Sequence, residues 1–262
     1  MVCSAEHLQW AISMKKTRLV AVFGIKYEPQ WLVDELIENL KGWVDDFAIV
    51  DCRYRKDELW IHEGQYRVLQ REAYMALDAD WVLVTSPDER FEDRAGDIIR
   101  PLIDGKKDRI IYEFPLREMF TPTKYRTDGI WGRKTRPRLF PVLPGQTFTN
   151  RSIQSSPTPN DGSYTKQLLD VNLYHLKMIE PENRDMRAIV YEKLDPNYRL
   201  QNPNAARWKR LDPEGKFRKD GYHYLAKTEG MELELIPKGR EFSPAYTKKY
   251  IFDVPDELLT KK

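Results

Sequence analysis

The chain reads as an α/β protein with a mostly parallel central sheet flanked by helices. Apolar, strand-like runs recur at residues 17–24, 47–50, 81–85 and 109–114. Between them, apolar residues fall at three- and four-residue spacing, the period of an amphipathic helix. The runs are near-continuous rather than alternating, as expected of strands covered on both faces.

The first strand is TRLVAVFG at 17–24, rich in Val, Leu and Phe. Pro29 then opens a helix, being pre-set for a first turn, with Leu32, Val33, Leu36, Ile37, Leu40 and Val44 on its inner side. A short apolar run at 47–50 ends at Asp51. Residues 64–77 are helical again, with Val68, Leu69, Ala73 and Ala76 to one side. Trp81 to Thr85 are all β-branched, aromatic or Leu, the composition of a buried strand. Pro87 cannot donate to a ladder, so this strand stops there and exposes Asp88 and Glu89 at its carboxyl end. A helix over 93–102, through Ile98, Ile99 and Leu102, and a strand at 109–114 follow. Right-handed crossovers place the helices on both faces. Neither GxGxxG nor GxxxxGK[ST] occurs, which argues against a dinucleotide site and a P-loop.

Residues 115–165 are rich in Pro, Gly, Thr, Arg and Trp and suit loops and short strands. LLDVNLYHL at 168–176 resumes strand character, and 181–194 reads as a helix with Met186, Ile189 and Val190 inward. Residues 197–220 are polar, basic and aperiodic, as in a linker, while 222–235 and the Pro-containing tail pack back on the domain. The expected division is an N-terminal extension (1–16), an α/β half (17–115), a loop-rich half of the same domain (116–195) and a C-terminal extension (196–262).

The 262 residues suffice for one large domain, with 41% hydrophobic and 32% charged residues. No apolar run approaches the roughly 20 residues of a membrane span, and residues 1–16 lack the pattern of a secretory signal. Cys3 and Cys52 are far apart, which excludes a disulfide framework and a Cys-based zinc site. A soluble, cytoplasmic protein is the expectation. The net charge is only +2, but residues 116–220 carry 20 Lys/Arg against 12 Asp/Glu. That region can face an anionic substrate, a nucleotide or nucleic acid, or can be an ordinary solvated surface.

Ligands of open α/β sheets bind beyond the carboxyl ends of strands. Asp88 and Glu89 at such an end suit a divalent cation and the phosphates it carries. The alternative is a polar strand-to-helix turn.

The order of these strand-end features resembles family-2 glycosyltransferases of the GT-A fold, and within them the branch of bacterial lipopolysaccharide core glucosyltransferases. The resemblance runs over roughly 17–195. TRLVAVFGIKYE stands at the family's opening strand, and Phe47-Ala48-Ile49-Val50-Asp51 resembles its second. Gln70-Arg71-Glu72 sits where the family has Ala-Arg-Asn, and residues 79–90 resemble the segment DWVLxLDADER. Arg136-Pro137-Arg138-Leu139-Phe140 resembles a later Arg-Leu-Phe strand, and Asn172-Leu173-Tyr174-His175 the closing His segment. Two departures stand out. The DxD triplet falls on Ser86-Pro87-Asp88, and no His-Glu pair follows the Arg-Leu-Phe strand, where Ile153-Gln154-Ser155 is found.

The resemblance implies transfer of a sugar from a nucleoside-diphosphate sugar, assisted by Mn²⁺ or Mg²⁺. It places the metal on Asp88 and His175, with diphosphate oxygens and water completing the shell. Asp51 would contact the base or ribose, Arg71 the diphosphate, Phe23 and Tyr27 the nucleobase, and Ser86 a sugar hydroxyl. Base candidates are Glu89, Asp128 and Asp161, since a carboxylate must take the acceptor proton in an inverting transfer. Arg133, Lys134, Arg136 and Arg138, beside Trp131, can meet the diphosphate or an anionic acceptor. The acceptor itself is open among a glycan, a protein and a modified nucleic acid. Alternatives are a catalytically inactive GT-A-fold binding module and a nucleic-acid-associated protein using the basic region.

Overall fold

The computed structural model describes residues 16–53, 63–105, 108–151, 155–194 and 228–251. Nearly all of the N-terminal extension and the expected linker at 197–220 lie outside the described residues. Strand β1 (Leu19–Ile25) has all seven residues buried. It is flanked on both sides, parallel to β2 (Asp46–Asp51) and to β3 (Trp81–Val84). The crossovers are α1 (Gln30–Leu40) and α2 (Glu63–Met75). Alternate residues of β1 enter different cores, as the strand period demands. Leu19, Ala21, Phe23 and Ile25 pack with α1 and with α3 (Ala95–Ile103), whereas Val20 and Val22 pack against Tyr74 of α2.

The second half adds strands to the same sheet. β5 (Ile110–Glu118) and β3 both pair antiparallel with β7 (Thr135–Pro141), which lies between them. Along its other edge, β5 pairs in parallel first with β8 (Thr165–Leu168) and then with β9 (Leu173–His175). β4 (Glu89–Phe91) closes the series antiparallel to β9. The main path is β2-β1-β3-β7-β5-β9-β4, with β8 joining β5 beside it. Helix α4 (Pro181–Leu194) follows, and β10 (Leu233–Leu235) pairs with β6 (Lys124–Arg126) in a separate ribbon. Phe242, Tyr246 and Tyr250 of the tail pack with Leu32 and Tyr174, so the tail does fold back on the domain.

Several expectations need correction. The buried stripe of α2 is Tyr66, Gln70 and Tyr74, and Val68 is exposed. Ile189 of α4 also faces out, while Ala188 and Val190 are buried. Of the single strand expected at 168–176, the strand part is β9 at 173–175, while β8 precedes it and ends at Leu168. Pro87 does follow the end of β3, but the chain turns at once into β4. Asp88 and Glu89 are therefore buried, each only 3% exposed.

What holds this turn is Arg90, whose side chain is fully buried. Its guanidinium donates to the carbonyls of Pro87 (2.7 Å), Glu89 (2.8 Å) and Leu32 (3.2 Å), and pairs with Glu35 at 3.3 Å. One cation thus ties the carbonyls of the turn to α1. Arg90→Met should lower the unfolding free energy by about 3 kcal/mol, since it strips the turn of these donors. Urea titration checks this, and wild-type stability in the variant would contradict the strut.

Candidate functional site: a cationic cleft at the strand ends

A cleft of about 390 Å³ opens beyond the carboxyl ends of β1 and β3. The segment after β1 supplies Lys26, Tyr27 and Glu28, and the turn after β3 supplies Thr85 to Glu89. Glu63, Tyr66 and Arg67 of α2 form one wall, Arg136 and Arg138 of β7 another. His175, Lys177, Arg187 of α4 and Ser155 to Pro157 complete it. Gly24 is required here by close approach. A Cβ at that position would lie 1.4 Å from the Tyr66 hydroxyl oxygen.

At the floor stands an ionic triad. Pairing across β5, β9 and β4 sets Glu118, His175 and Glu89 side by side. His175 Nδ1 lies 2.6 Å from Glu118 Oε2, and Nε2 lies 3.4 Å from Asp88 Oδ2. Lys177 Nζ approaches the same Asp88 oxygen at 3.7 Å, and Lys134 Nζ approaches Glu118 at 3.4 Å. Burial works against the charge on His175, yet Glu118 and Asp88 outweigh it and push its pKa up to about 9. Burial likewise favours protonated carboxyls at Asp88 and Glu118, but the facing His175 charge, with Lys177 and Lys134, holds both well below the usual range. All three groups are therefore ionised at neutral pH.

Glu28 differs. Burial and then the nearby Asp88 charge raise its pKa, although Oε2 accepts from the backbone N–H of Lys26 at 2.7 Å and of Tyr27 at 3.1 Å. Lys26 sits 4.5 Å above the Tyr66 ring, and burial pulls its pKa down to about 8.

Of the residues singled out from the sequence, Asp88, His175, Ser86, Tyr27 and Glu89 line this cleft. Arg136 and Arg138 of the basic cluster line it too, and the others lie outside its lining. Phe23 is fully buried in the core, and exposed Asp51 is paired with Arg53. Arg71 is exposed with its guanidinium 5.9 Å above Phe148, and Arg67, one helical turn earlier, faces the cleft instead. Asp128 is held by Arg126 at 2.6 and 2.9 Å, and Asp161 lies exposed beside Ser163 and Arg109. Glu89 is in place but committed, accepting from Thr85 at 3.2 Å and pairing with Arg138 at 2.5 Å. In the basic cluster only Arg133 is exposed. Sequence reasoning missed Glu118, Lys177 and Glu28. The Glu ending the segment after β1 was a usable signal; Glu118 had none, because cross-strand register alone brings it to His175.

A divalent cation fits the donors present. Asp88 Oδ2 and His175 Nε2 are close enough to share one ion, and Glu118 on Nδ1 is the carboxylate that orients a ligating imidazole. Among the described residues no group of three His, Cys, Asp or Glu has metal-ligand geometry, so phosphate oxygens and water would supply the rest. Binding would displace the His175 proton.

Fold and cleft together define a mixed α/β protein with a cation-rich pocket at the ends of its parallel strands. No helix among the described residues is long and apolar enough to cross a membrane. The chain matches no protein-family model and no curated protein.

The triad predicts a pH dependence. A histidine that binds its proton more tightly when folded contributes stability fully below its ordinary value of 6.5, and this is lost as pH rises through about 9. Lys26 and Lys134, both lowered by burial to about 8, act oppositely above pH 8. The difference between wild type and His175→Gln isolates the effect. Their unfolding free energies should converge from pH 6.5 to 9; a constant gap would contradict the ionised triad.

Proposed function

We propose that this protein is a metal-dependent glycosyltransferase of the GT-A type, moving a sugar from a nucleoside-diphosphate sugar to an acceptor hydroxyl. The observation that carries the reading is the pairing of Asp88 with His175 beyond the end of β3, inside a cleft rich in Lys and Arg. Such a cleft attracts a diphosphate. Asp88 and His175 would hold the cation, which would supply charge neutralisation at the leaving diphosphate. Lys177, Lys26 and Arg67 face the phosphates, Tyr27 and Tyr66 offer aromatic surface to the nucleobase, and Ser86 offers a hydroxyl to a sugar or ribose.

In the transfer, the acceptor oxygen bonds to the anomeric carbon while the carbon–oxygen bond to the diphosphate breaks and its electron pair leaves with the phosphate. The acceptor proton needs a carboxylate. Glu28 is the cleft carboxyl with raised proton affinity, so it takes that role. A glycan, a protein and a modified nucleic acid all remain compatible acceptors, in a cytoplasmic setting.

A second reading is an inactive binding module. It is favoured by Ser86 in place of an acid and by Asp88 being already matched by His175 and Lys177. Incubation with UDP-, GDP- and dTDP-sugars and Mn²⁺ separates the two. The transferase releases nucleoside diphosphate from at least one donor, and Asp88→Asn slows release by about 10²–10³-fold. Nucleotide binding without release from any donor would establish the binding module instead.

A further inference from the structure

Lys134, Arg136 and Arg138 occupy alternate positions leading into and along β7, and Arg136 and Arg138 both line the cleft. The outer two have carboxylate partners, Lys134 in Glu118 and Arg138 in Glu89. Arg136, between them, has none. Its one hydrogen bond is to the carbonyl of Thr135, at 3.4 Å, and no carboxylate among the described residues pairs with it. Its side chain is half-buried and lines the cleft, with the cations Arg138 and Arg187 lining it as well, and burial followed by Arg138 pulls its pKa down. The nearby acids Glu118 and Glu89 are already engaged by His175, Lys134, Arg138 and Thr85.

A half-buried cation without a counter-ion of its own, set beside further cations, is unfavourable to the folded chain. Such groups persist where they serve a ligand. The missing partner is an anion, and the planar fork of a guanidinium suits a carboxylate or phosphate held through two oxygens. Leu116 and Pro137 line the cleft with it. Arg136 stands on β7, whereas Asp88 stands in the turn after β3, and Arg138, two positions along β7, is paired with Glu89.

We infer that Arg136 marks a second anion subsite, distinct from the Asp88–Lys177 end, that binds the phosphate or carboxylate of a second ligand. Under the transferase reading this ligand is an acidic acceptor. The subsite stands without turnover, so its failure and that of the transferase reading can be told apart.

The test is calorimetric titration of the full chain with inorganic phosphate and, separately, with acetate. At least one should bind saturably. Arg136→Met should weaken that binding by about tenfold or more, and Arg136→Lys, which keeps the charge but loses the fork, by less. Lys124→Met, at an exposed position outside the cleft lining, should leave it within about threefold. No saturable binding of either anion, equal affinity in Arg136→Met, or a loss in Lys124→Met as large as in Arg136→Met would each overturn the inference. Melting temperature supplies the folding control. Arg136→Met should melt at or above wild type, because it removes an unpaired cation, whereas Arg138→Met should melt lower, because it strands Glu89. A fall in Arg136→Met as large as in Arg138→Met would make Arg136 structural and sink the proposal.

Discussion

One buried charge balance organises this molecule: Asp88 and Glu118 set against His175. Two carboxylates and an imidazole enclosed together are favourable only in a definite ionisation state and at hydrogen-bond distances. Those distances require that β5, β9 and β4 pair in one register, since a one-residue slip would turn His175 to the opposite face. They also require the tight turn after β3, which Arg90 braces from beneath through the carbonyls of Pro87 and Glu89. The small antiparallel arm at the end of the sheet thus exists to seat these groups at the mouth of the parallel strands.

The cleft above the triad is built from unequal charges. Lys26, Arg67, Arg136, Arg138, Lys177 and Arg187 line it with Glu28, Glu63, Asp88 and Glu89. Several of the cations are neutralised locally, as Arg67 is by Glu63 and Arg138 by Glu89. The surplus faces the space where ligands of open α/β sheets bind. Because the cleft is bounded by protein on several sides, each uncompensated charge there acts more strongly than it would on the open surface. The same enclosure gives Glu28 a raised proton affinity while Asp88 keeps its charge, so similar carboxyls in one pocket are set to different tasks.

Much of the frame was legible in the sequence because it rests on local pattern. The continuous apolar run of β1, the spacing of Leu32, Val33, Leu36 and Leu40, and helix α4 all read directly. Where local pattern was ambiguous the reading failed. In α2 the buried residues are two tyrosines and a glutamine, which an apolar-face rule passes over in favour of Val68. At Asp88 and Glu89, Pro87 correctly marked the end of a strand, but exposure does not follow from a strand end when another strand begins at once. The site divides the same way. Asp88 and His175 were paired through the resemblance, whereas Glu118 and Lys177 owe their roles to partners far along the chain, His175 and Asp88, which no local signal encodes. Asp51, Asp128 and Arg71 illustrate the reverse. Each has a partner close by in the fold, Arg53, Arg126 and Phe148, and lies outside the cleft.

The central claim is that Asp88 and His175 jointly receive a cation and the diphosphate it carries. Calorimetric titration of Mn²⁺ into the full chain with UDP or GDP present, in two buffers of different ionisation enthalpy, addresses it most directly. The account predicts binding in wild type at pH 7 with release of about one proton from His175, and at least about tenfold weaker binding in Asp88→Asn and in His175→Gln. Binding of wild-type strength in both variants, or binding without proton release, would contradict it.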